Sequence, residues 1–433
     1  MTRRDGPVRR ALRMAAMGAG VTGSYLGYMA QSAFLSGDQR AVRLKRAHTR
    51  AARRMSDELQ ALRGPAMKLG QALSLQHGVL PDEMLAELAT LQMRAPGMHP
   101  ALVRAQFTGS MGREPEQVFR SFETTPFAAA SLGQVHRATL KNGEPAAVKI
   151  QYPGIRDAIK NDFTWFRAIS KPAQLSRHLP PDVMDELEAQ ILAECDYERE
   201  AKNIAFFRKG LAPLPFVELP VAHRAYSTDR VLTMSMVRGA HLDDFLARRP
   251  SQALRDRVGE RLFELFYFQI LELHALHADP HWGNYLFGSD GTIGLVDFGC
   301  VKYFQAPFVA NMRKVFLYAG SRESAHFRQI LEERYATSGT RLSRAAVRAL
   351  ARISVEFYGR VYPADPATDG IPFDFADDAV IRDYLRESTR VGRARATLPE
   401  YVFLGRAESG LYQTLHRLRA RVHTSAIVRK YLR

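Results

Sequence analysis

The chain has 433 residues, of which 46% are apolar and 24% are charged. This length exceeds what one compact core usually holds, and the composition excludes wholesale disorder, so two lobes with extensions are predicted. The net charge of +16 comes from the ends: residues 1–54 hold twelve basic residues against two acids, and residues 414–433 hold six against none. The neutral middle of the chain argues against a nucleic-acid partner. The basic ends favour contact with an anionic surface, and the alternative is that they are only solvated. Cys195 and Cys300 are the two cysteines, which predicts no disulfide framework and fits a reducing compartment.

The basic N-terminal arm, residues 1–55, contains one weakly apolar segment. Met14–Leu35 carries no charge and is long enough to span a bilayer, but it includes four glycines and several polar residues. Its hydropathy therefore favours a helix that is soluble or lies on a surface over a helix that spans a membrane. An Arg-rich start is also typical of an organelle transit peptide, and this alternative stays open.

A helical extension is predicted at residues 56–120. Leucines repeat at helical spacing along Ser56–His77, with Ser56 as the expected N-cap. Lys68 and Gln71 lie on another face of this helix, in the string Lys-Leu-Gly-Gln, and by pattern alone that face is solvated. A second helix is predicted within Pro81–Pro96, where a Pro-Gly pair ends it.

The next segment, residues 121–237, reads as a kinase-like N-terminal lobe. An Asn-Gly turn at residue 142 separates two β-prone runs, and the second run carries Lys149 in Ala-Val-Lys-Ile. In kinases this strand carries the lysine that pairs with the nucleotide phosphates. The loop that would cover the phosphates consists of Ala128, Ala129, Ala130 and Ser131. Alanine lacks the backbone freedom of the usual glycines, so we expect this loop to hold nucleotide differently; an arbitrary hairpin with one exposed lysine is the alternative.

A long helix is predicted from Asp182 to about Lys209, and it carries three acids of interest, Glu194, Asp196 and Glu200. A kinase needs one helical glutamate to pair with the strand lysine. If the helix is unbroken, Asp196 and Glu200 share a face. A solvated acidic face is the alternative interpretation.

The strand Val231–Met236 is expected to lead into a hinge at Val237-Arg-Gly239, where Met236 and Val237 would contact the nucleotide. Residues 238–433 then form a mainly helical C-terminal lobe with a basic end. The acidic, proline-containing stretch 363–378 is predicted to be a surface loop.

The strongest motif lies at residues 277–299. Asp279 and Asn284 are five residues apart, and Asp297, in Asp-Phe-Gly, follows Asn284 by thirteen. Protein kinases use this order: the first Asp orients or accepts the proton of the nucleophile, while the Asn and the second Asp hold Mg²⁺. Oxygen ligands are required because Mg²⁺ is a hard cation. A helical pattern precedes the motif, and the strand-like run Thr292–Asp297 ends in its last acid, so the context also fits.

These motifs together resemble the UbiB/ADCK (AarF-type) family of atypical kinases, over about residues 56 to 430. The resemblance is carried by Lys68-Leu-Gly-Gln71, Ala128-Ala-Ala-Ser131, Lys149, Glu194-Cys-Asp196, Glu200, Asp279, Asn284 and Asp297-Phe-Gly299. It implies an α+β, bilobal protein-kinase-like fold with an N-terminal helical extension folded over the cleft. The sequence departs from the family at Trp282, where proline is usual, and at Ser235, where the hinge usually has glutamate.

The resemblance also implies roles for individual residues. Lys68 would pair with Glu194 or Asp196 and, with Gln71, form a regulatory lid that keeps polypeptides out of the cleft. The implied catalytic residues are Asp279, Lys149 and Glu200, and the implied metal ligands are Asn284 and Asp297. The implied cofactors are ATP or ADP and Mg²⁺.

For function, the resemblance implies an ATP-dependent kinase or ATPase that supports quinone biosynthesis. Its partners would be a lipid-soluble quinone precursor, quinone-biosynthesis proteins and an anionic membrane surface. The protein would be cytoplasmic and peripheral at the inner membrane surface. A conventional Ser/Thr protein kinase is one alternative, although no Ala-Pro-Glu string follows Asp297 at a suitable distance. A catalytically silent nucleotide-binding scaffold is the other, although it would have no need of all five catalytic and metal residues.

Overall fold

The computed structural model describes residues 7–32, 35–62, 70, 82–88, 97–130, 132–170, 181–279, 281–317, 329, 342–363, 365–394 and 399–432. Backbone contacts divide the chain into two compact units. Unit 1 comprises Met1–Arg199 and Ala222–Ser235, and unit 2 comprises Glu200–Val221 and Met236–Arg433.

The described elements mix helices and strands, which confirms the predicted α+β class. The helices are α1 (Pro7–Ser32), α2 (Gly37–Leu62), α3 (Asp82–Leu88), α4 (Pro100–Met111), α5 (Pro115–Val118), α6 (Ile155–Ser170), α7 (Pro181–Ala193), α8 (Tyr197–Gly210), α9 (Leu242–Ala247), α10 (Gln252–Leu271), α11 (Ala306–Leu317), α12 (Arg344–Ile353), α13 (Gly359–Val361), α14 (Asp378–Arg393), α15 (Pro399–Leu418) and α16 (Thr424–Arg429). The strands are β1 (Ser121–Phe122), β2 (Ala128–Ala130), β3 (Gly133–Thr139), β4 (Pro145–Gln151), β5 (Val217–Glu218), β6 (Val231–Ser235), β7 (Ala275–His277), β8 (Tyr285–Phe287), β9 (Ile293–Leu295), β10 (Val301–Tyr303), β11 (Phe373–Asp374) and β12 (Arg421–Val422).

In unit 1, α1 and α2 form a helical hairpin whose inner face joins the hydrophobic core. Met17 and Val21 of α1 pack in one buried cluster with residues of α2, α3, α6 and α7. The predicted N-cap at Ser56 is wrong, because α2 already begins at Gly37 and Ser56 is a buried residue inside it. The periodic leucines after Ser56 therefore continue an existing helix. Among the described residues, no helix is both long and apolar enough to cross a membrane.

The sheet of unit 1 has the order β1-β3-β4-β6, with β2 paired to β3. The predicted hairpin is confirmed: β3 and β4 are antiparallel, and Gly143 in their turn has a φ of 93°. The register aligns Lys149 with Val135 on one side and with Leu232 on the other, so Lys149 lies in a central strand.

The helix predicted from Asp182 to Lys209 is wrong, since it is two helices, α7 and α8, separated by Glu194–Asp196. Side chains from elsewhere in unit 1 bind the backbone of this break. Gln151 Nε2 and a terminal nitrogen of Arg156 both donate to the Cys195 carbonyl oxygen, at 2.6 and 2.9 Å. Asp196 then accepts the Arg199 N–H at 3.0 Å, so it caps α8 and does not share a helix face with Glu200.

Unit 2 is organised around α10, which matches the helical pattern predicted before the motif. Ser251 caps it by accepting the Leu254 N–H at 3.3 Å, and its second half is almost wholly buried. Small sheets surround it, with β7 paired to β10 and β9 placed between β5 and β8.

The described C-terminal end is folded and is not a free arm, and its contact with an anionic surface stays a prediction. Its basic side chains pair with acids of unit 2: Arg417 with Asp243, Arg421 with Asp256, Arg429 with Asp369 and Lys430 with Glu264. The surface-loop prediction for 363–378 is also wrong in part, because β11 pairs with β12 and Phe375 is fully buried.

Candidate active site

Two pairs of antiparallel strands in unit 2 bring the motif residues close together. In the first, β8 runs antiparallel to β9, and beyond its last pair the Val296 N–H donates to the Asn284 carbonyl oxygen at 2.9 Å. Asn284 is thereby placed beside the corner that carries Asp297. In the second, β7 pairs with β10, and the Ala278 N–H donates to the Cys300 carbonyl oxygen at 3.0 Å. Residues far apart in the motif are therefore neighbours in space.

Asp297 has an unusual backbone conformation, with a φ of 63° in the left-handed region. Its carboxylate accepts the Gly299 N–H at 3.2 Å, and its carbonyl oxygen lies 2.7 Å from Nε2 of His277. The backbone N–H of His277 is in turn bound by Gln269 Oε1 of α10, at 2.9 Å. A non-glycine residue with positive φ costs free energy unless its surroundings hold it, and these contacts hold Asp297.

Phe298, the middle residue of Asp-Phe-Gly, is fully buried. Its ring packs edge-on against His277 at 5.3 Å between centroids, and Asn203 Nδ2 of α8 donates to its carbonyl oxygen at 2.9 Å. The segment after β9 is thus anchored on both sides, which fixes the direction of the Asp297 side chain.

Asp279 has a partner that the sequence analysis missed. A terminal nitrogen of Arg406, on α15, lies 3.2 Å from Asp279 Oδ1, and the same oxygen accepts the His281 N–H at 3.4 Å. Both side chains of the ion pair are largely buried, at 11% and 14% exposed. Burial raises the pKa of the neighbouring Tyr285 phenol, and the negative charge of Asp279 raises it further. No local motif marks Arg406, which is 127 residues from Asp279.

Trp282, one of the two departures from the family pattern, has a defined place in unit 2. The guanidinium of Arg417 lies 4.8 Å from the centroid of its ring and also pairs with Asp243. A cation over an aromatic face is attracted by the ring quadrupole. The tryptophan that replaces proline is therefore accommodated by a residue of α15, and the other departure, Ser235, ends β6 in unit 1.

In unit 1, Lys149 is buried, which contradicts the alternative of an arbitrary exposed lysine. Only 6% of it is exposed, and its ammonium lies 5.1 Å from the centroid of the Tyr197 ring. A buried ammonium is costly unless compensating groups surround it. Glu194, at the break between α7 and α8, is buried in the same unit, and Asp196 is the cap of α8.

The remaining predicted site residues belong to both units, and three of them lie outside the described residues. Glu200 is 1% exposed and belongs to unit 2, so its pairing with Lys149 of unit 1 stays a prediction. Ala128, Ala129 and Ala130 form strand β2, paired with β3, where a covering loop was expected. Met236 and Val237 follow β6 in the chain and are half-buried. Ser131, Lys68 and Gln71 lie outside the described residues.

The donor set at Asn284 and Asp297 fits a magnesium ion. Carboxylate and amide oxygens are the ligands that Mg²⁺ prefers, and the ion usually completes its shell with phosphate oxygens and water. Asn284 Nδ2 is buried without a hydrogen-bond partner among the described residues, so the protein does not fully engage this amide. The described part of the chain contains no group of three or more His, Cys, Asp or Glu side chains suited to a metal.

Comparison with known families gives a match for the central part of the chain. A sequence model described as the ABC1 atypical kinase-like domain matches residues 90–331. A solved structure, the complex of Rv3197 with erythromycin from Mycobacterium tuberculosis, covers 92% of this chain and 98% of its own, with a TM-score of 0.61 and 26% sequence identity.

Curated relatives are similar over different shares of their length. The atypical kinase COQ8 of Saccharomyces cerevisiae is 28% identical over 387 residues, 87% of this chain and 75% of that protein. The atypical kinase COQ8B of Rattus norvegicus is 33% identical over 61% of this chain and 50% of its own length. A probable protein kinase UbiB of Pseudomonas aeruginosa is 34% identical over 52% of this chain and 43% of its own length. The chain thus spans half or less of the last two relatives.

Proposed function

Because the chain belongs to the ABC1 atypical kinase-like family and is an enzyme of the kinase type, we propose that it binds ATP with Mg²⁺ and transfers or hydrolyses its terminal phosphoryl group. The observation that carries the proposal is the hydrogen bond from the Val296 N–H to the Asn284 carbonyl oxygen. This hydrogen bond brings the backbone at Asn284 beside the backbone that leads to Asp297. Both residues match the metal-binding residues of kinases by their spacing.

Each motif residue then has a role. Asp279 would orient the attacking hydroxyl or water and accept its proton, while Asn284 and Asp297 would hold the metal ion. The metal ion would neutralise charge on the phosphate oxygens when bound. Lys149 would bind the nucleotide phosphates and take Glu200 as its partner. Ala128–Ser131 would cover the phosphates, and Met236 and Val237 would contact the base.

We also propose that Lys68 and Gln71 act as a lid whose lysine is held by Glu194 or Asp196. Glu194 is buried, and a buried carboxylate requires compensating groups. A lid of this kind would exclude polypeptide substrates, which separates the enzyme from a conventional Ser/Thr protein kinase.

The pathway proposed from the resemblance is quinone biosynthesis. The acceptor or effector would be a lipid-soluble quinone precursor, met together with other quinone-biosynthesis proteins at an anionic membrane surface on the cytoplasmic side. The basic N-terminal hairpin supports membrane contact, since Arg40, Arg46 and Arg50 of α2 are exposed.

The function is tested by measuring ATP hydrolysis by the full chain, with and without anionic liposomes and a phenolic quinone-precursor mimic. We expect Mg²⁺-dependent turnover that both additions increase. Robust phosphorylation of generic proteins would instead support a conventional protein kinase, and nucleotide binding without any turnover would support a silent scaffold.

A further inference from the structure

One face of α15 contacts the motif segment of unit 2, residues 277–300, at two points. Phe403 forms a buried hydrophobic cluster with Ala278, which precedes Asp279, and with Cys300, which follows Asp297-Phe-Gly299. One turn later on the helix, Arg406 lies 3.2 Å from Asp279 Oδ1. Residues three apart lie on the same face of a helix, so a single face of α15 meets the segment at both places.

We propose that Arg406 is a positioning residue for Asp279, which it holds in the orientation needed to act on the attacking hydroxyl. The proposal rests on the proposed function, since it assigns Asp279 its catalytic role. The guanidinium and the His281 N–H both bind Oδ1, so two donors restrain the same oxygen of the carboxylate. Small displacements of a catalytic group are costly because the reacting atoms must meet within a narrow range of distance and angle.

The geometry of this pair differs from that of two other Arg–Asp pairs of unit 2. Arg421 binds Asp256 with two of its nitrogens, and Arg429 binds Asp369 in the same way. Arg406 binds Asp279 through one nitrogen, and its Nε is buried without a hydrogen-bond partner among the described residues.

A pair that served only stability would gain from more complete bonding, because burying an arginine with unbonded nitrogens costs free energy. An apolar residue would suit the packing of α15, whose neighbouring residues Ala407 and Leu411 are buried. The charge at position 406 is therefore explained by what it does to Asp279.

The test compares steady-state ATP turnover of the parent with Arg406→Ala and Arg406→Lys in the full chain. We expect Arg406→Ala to lower kcat by about 10- to 100-fold while the KM for Mg-ATP stays within about twofold, because the nucleotide ligands are untouched. Arg406→Lys should recover part of kcat. Millimolar guanidinium should restore turnover to Arg406→Ala, and urea at the same concentration should not.

Arg421→Ala is the control, since it breaks an Arg–Asp pair of the same unit outside the motif and should keep the parent kcat. The effects of Arg406→Ala and Asp279→Asn should not add in the double variant, because both act through one group.

Different outcomes would reject the positioning role alone or reject the proposed function with it. If the parent turns over ATP and Arg406→Ala keeps its kcat, the positioning role is wrong and the proposed function stands. The positioning role is also wrong if kcat falls equally in the Ala and Lys variants without guanidinium rescue. If the parent binds Mg-ATP but shows no turnover under any condition, both the proposed function and this inference are rejected.

Discussion

The backbone N–H of Val296 donates to the carbonyl oxygen of Asn284 at 2.9 Å, although the two residues are separated by the whole β8–β9 hairpin. This bond closes the open end of the hairpin and holds Asn284 beside Asp297. Asn284 and Asp297 are therefore placed to share one Mg²⁺ ion. This hypothesis can be tested by replacing one carboxylate oxygen of Asp297.

Asp297→Asn should abolish Mg²⁺-dependent nucleotide binding and leave the fold intact. Asparagine tolerates the left-handed backbone at this position and can still accept the Gly299 N–H, but it lacks the negative charge that the metal requires. Isothermal titration with Mg-ATP and a thermal unfolding scan check the two halves of the prediction. Asp290→Asn is the control, because the Asp290 carboxylate binds Thr292 in an exposed turn of the same unit, outside the metal-ligand pattern. Parent-like binding by Asp297→Asn would mean that the metal site is assigned to the wrong residues.

Ala129→Gly should alter nucleotide preference or raise self-phosphorylation. Ala129 is exposed in β2, so removing its methyl group leaves no cavity, and the change acts by giving the backbone more freedom. The measurement is transfer of radiolabel from ATP to the protein, with ADP and ATP affinities determined in parallel.

Lys68→Ala should likewise allow phosphoryl transfer to protein while weakening the native activity. If the parent phosphorylates generic proteins readily and neither change alters this, the occluded-cleft hypothesis fails.

Neutralising the exposed arginines of α2 should weaken binding to anionic liposomes. Arg40, Arg46 and Arg50 are exposed, whereas removing the arm would also remove Met17 and Val21 and uncover their partners in the core, so substitution is the cleaner test. We expect the triple Arg→Gln variant to co-sediment less than the parent, and the parent to be released as salt rises through about 0.1 M, where the Debye length is about 10 Å.

The matched control for this experiment is the triple Gln variant at Arg113, Arg120 and Arg224, which are exposed in the same unit. It changes the net charge by the same amount at other sites. Equal loss of binding in both triple variants would show that total charge, and not the hairpin, attracts the protein to the membrane.

Glu408→Gln should flatten the dependence of stability on pH. Glu408 is buried on α15, where Tyr358 and Tyr384 donate to Oε2 and Tyr412 donates to Oε1. Burial raises the pKa of this carboxyl above its usual range, although the tyrosine hydrogen bonds oppose the shift. The folded state therefore binds a proton more tightly than the unfolded state does, and stability falls as pH rises from the usual glutamate pKa through the raised one.

The measurement is the free energy of unfolding of the parent and of Glu408→Gln at several pH values. The difference, parent minus variant, should be largest at low pH, should fall through this window and should be constant above it. A difference that rises with pH would show that the tyrosine hydrogen bonds outweigh burial and that the folded-state pKa is lowered.

The sequence alone determined the parts of the site that depend on local spacing. Lys149 was placed on the second strand of a hairpin because an Asn-Gly turn between β-prone runs specifies that structure locally. Asp279, Asn284 and Asp297 are predicted from their order and spacing, and the chain between the last two forms the paired strands β8 and β9.

The tertiary structure decided everything that depends on contact between distant segments. The break between α7 and α8 arises because Gln151 and Arg156 take the Cys195 carbonyl oxygen, and no helical pattern contains that information. Four of the six basic residues at the C-terminal end pair with acids of unit 2 that are distant in sequence, and the charge count alone does not contain that information. Arg406 meets Asp279 because helix α15 packs against the segment that includes Ala278 and Cys300, and the position of a packed helix depends on the whole core and not on its own residues.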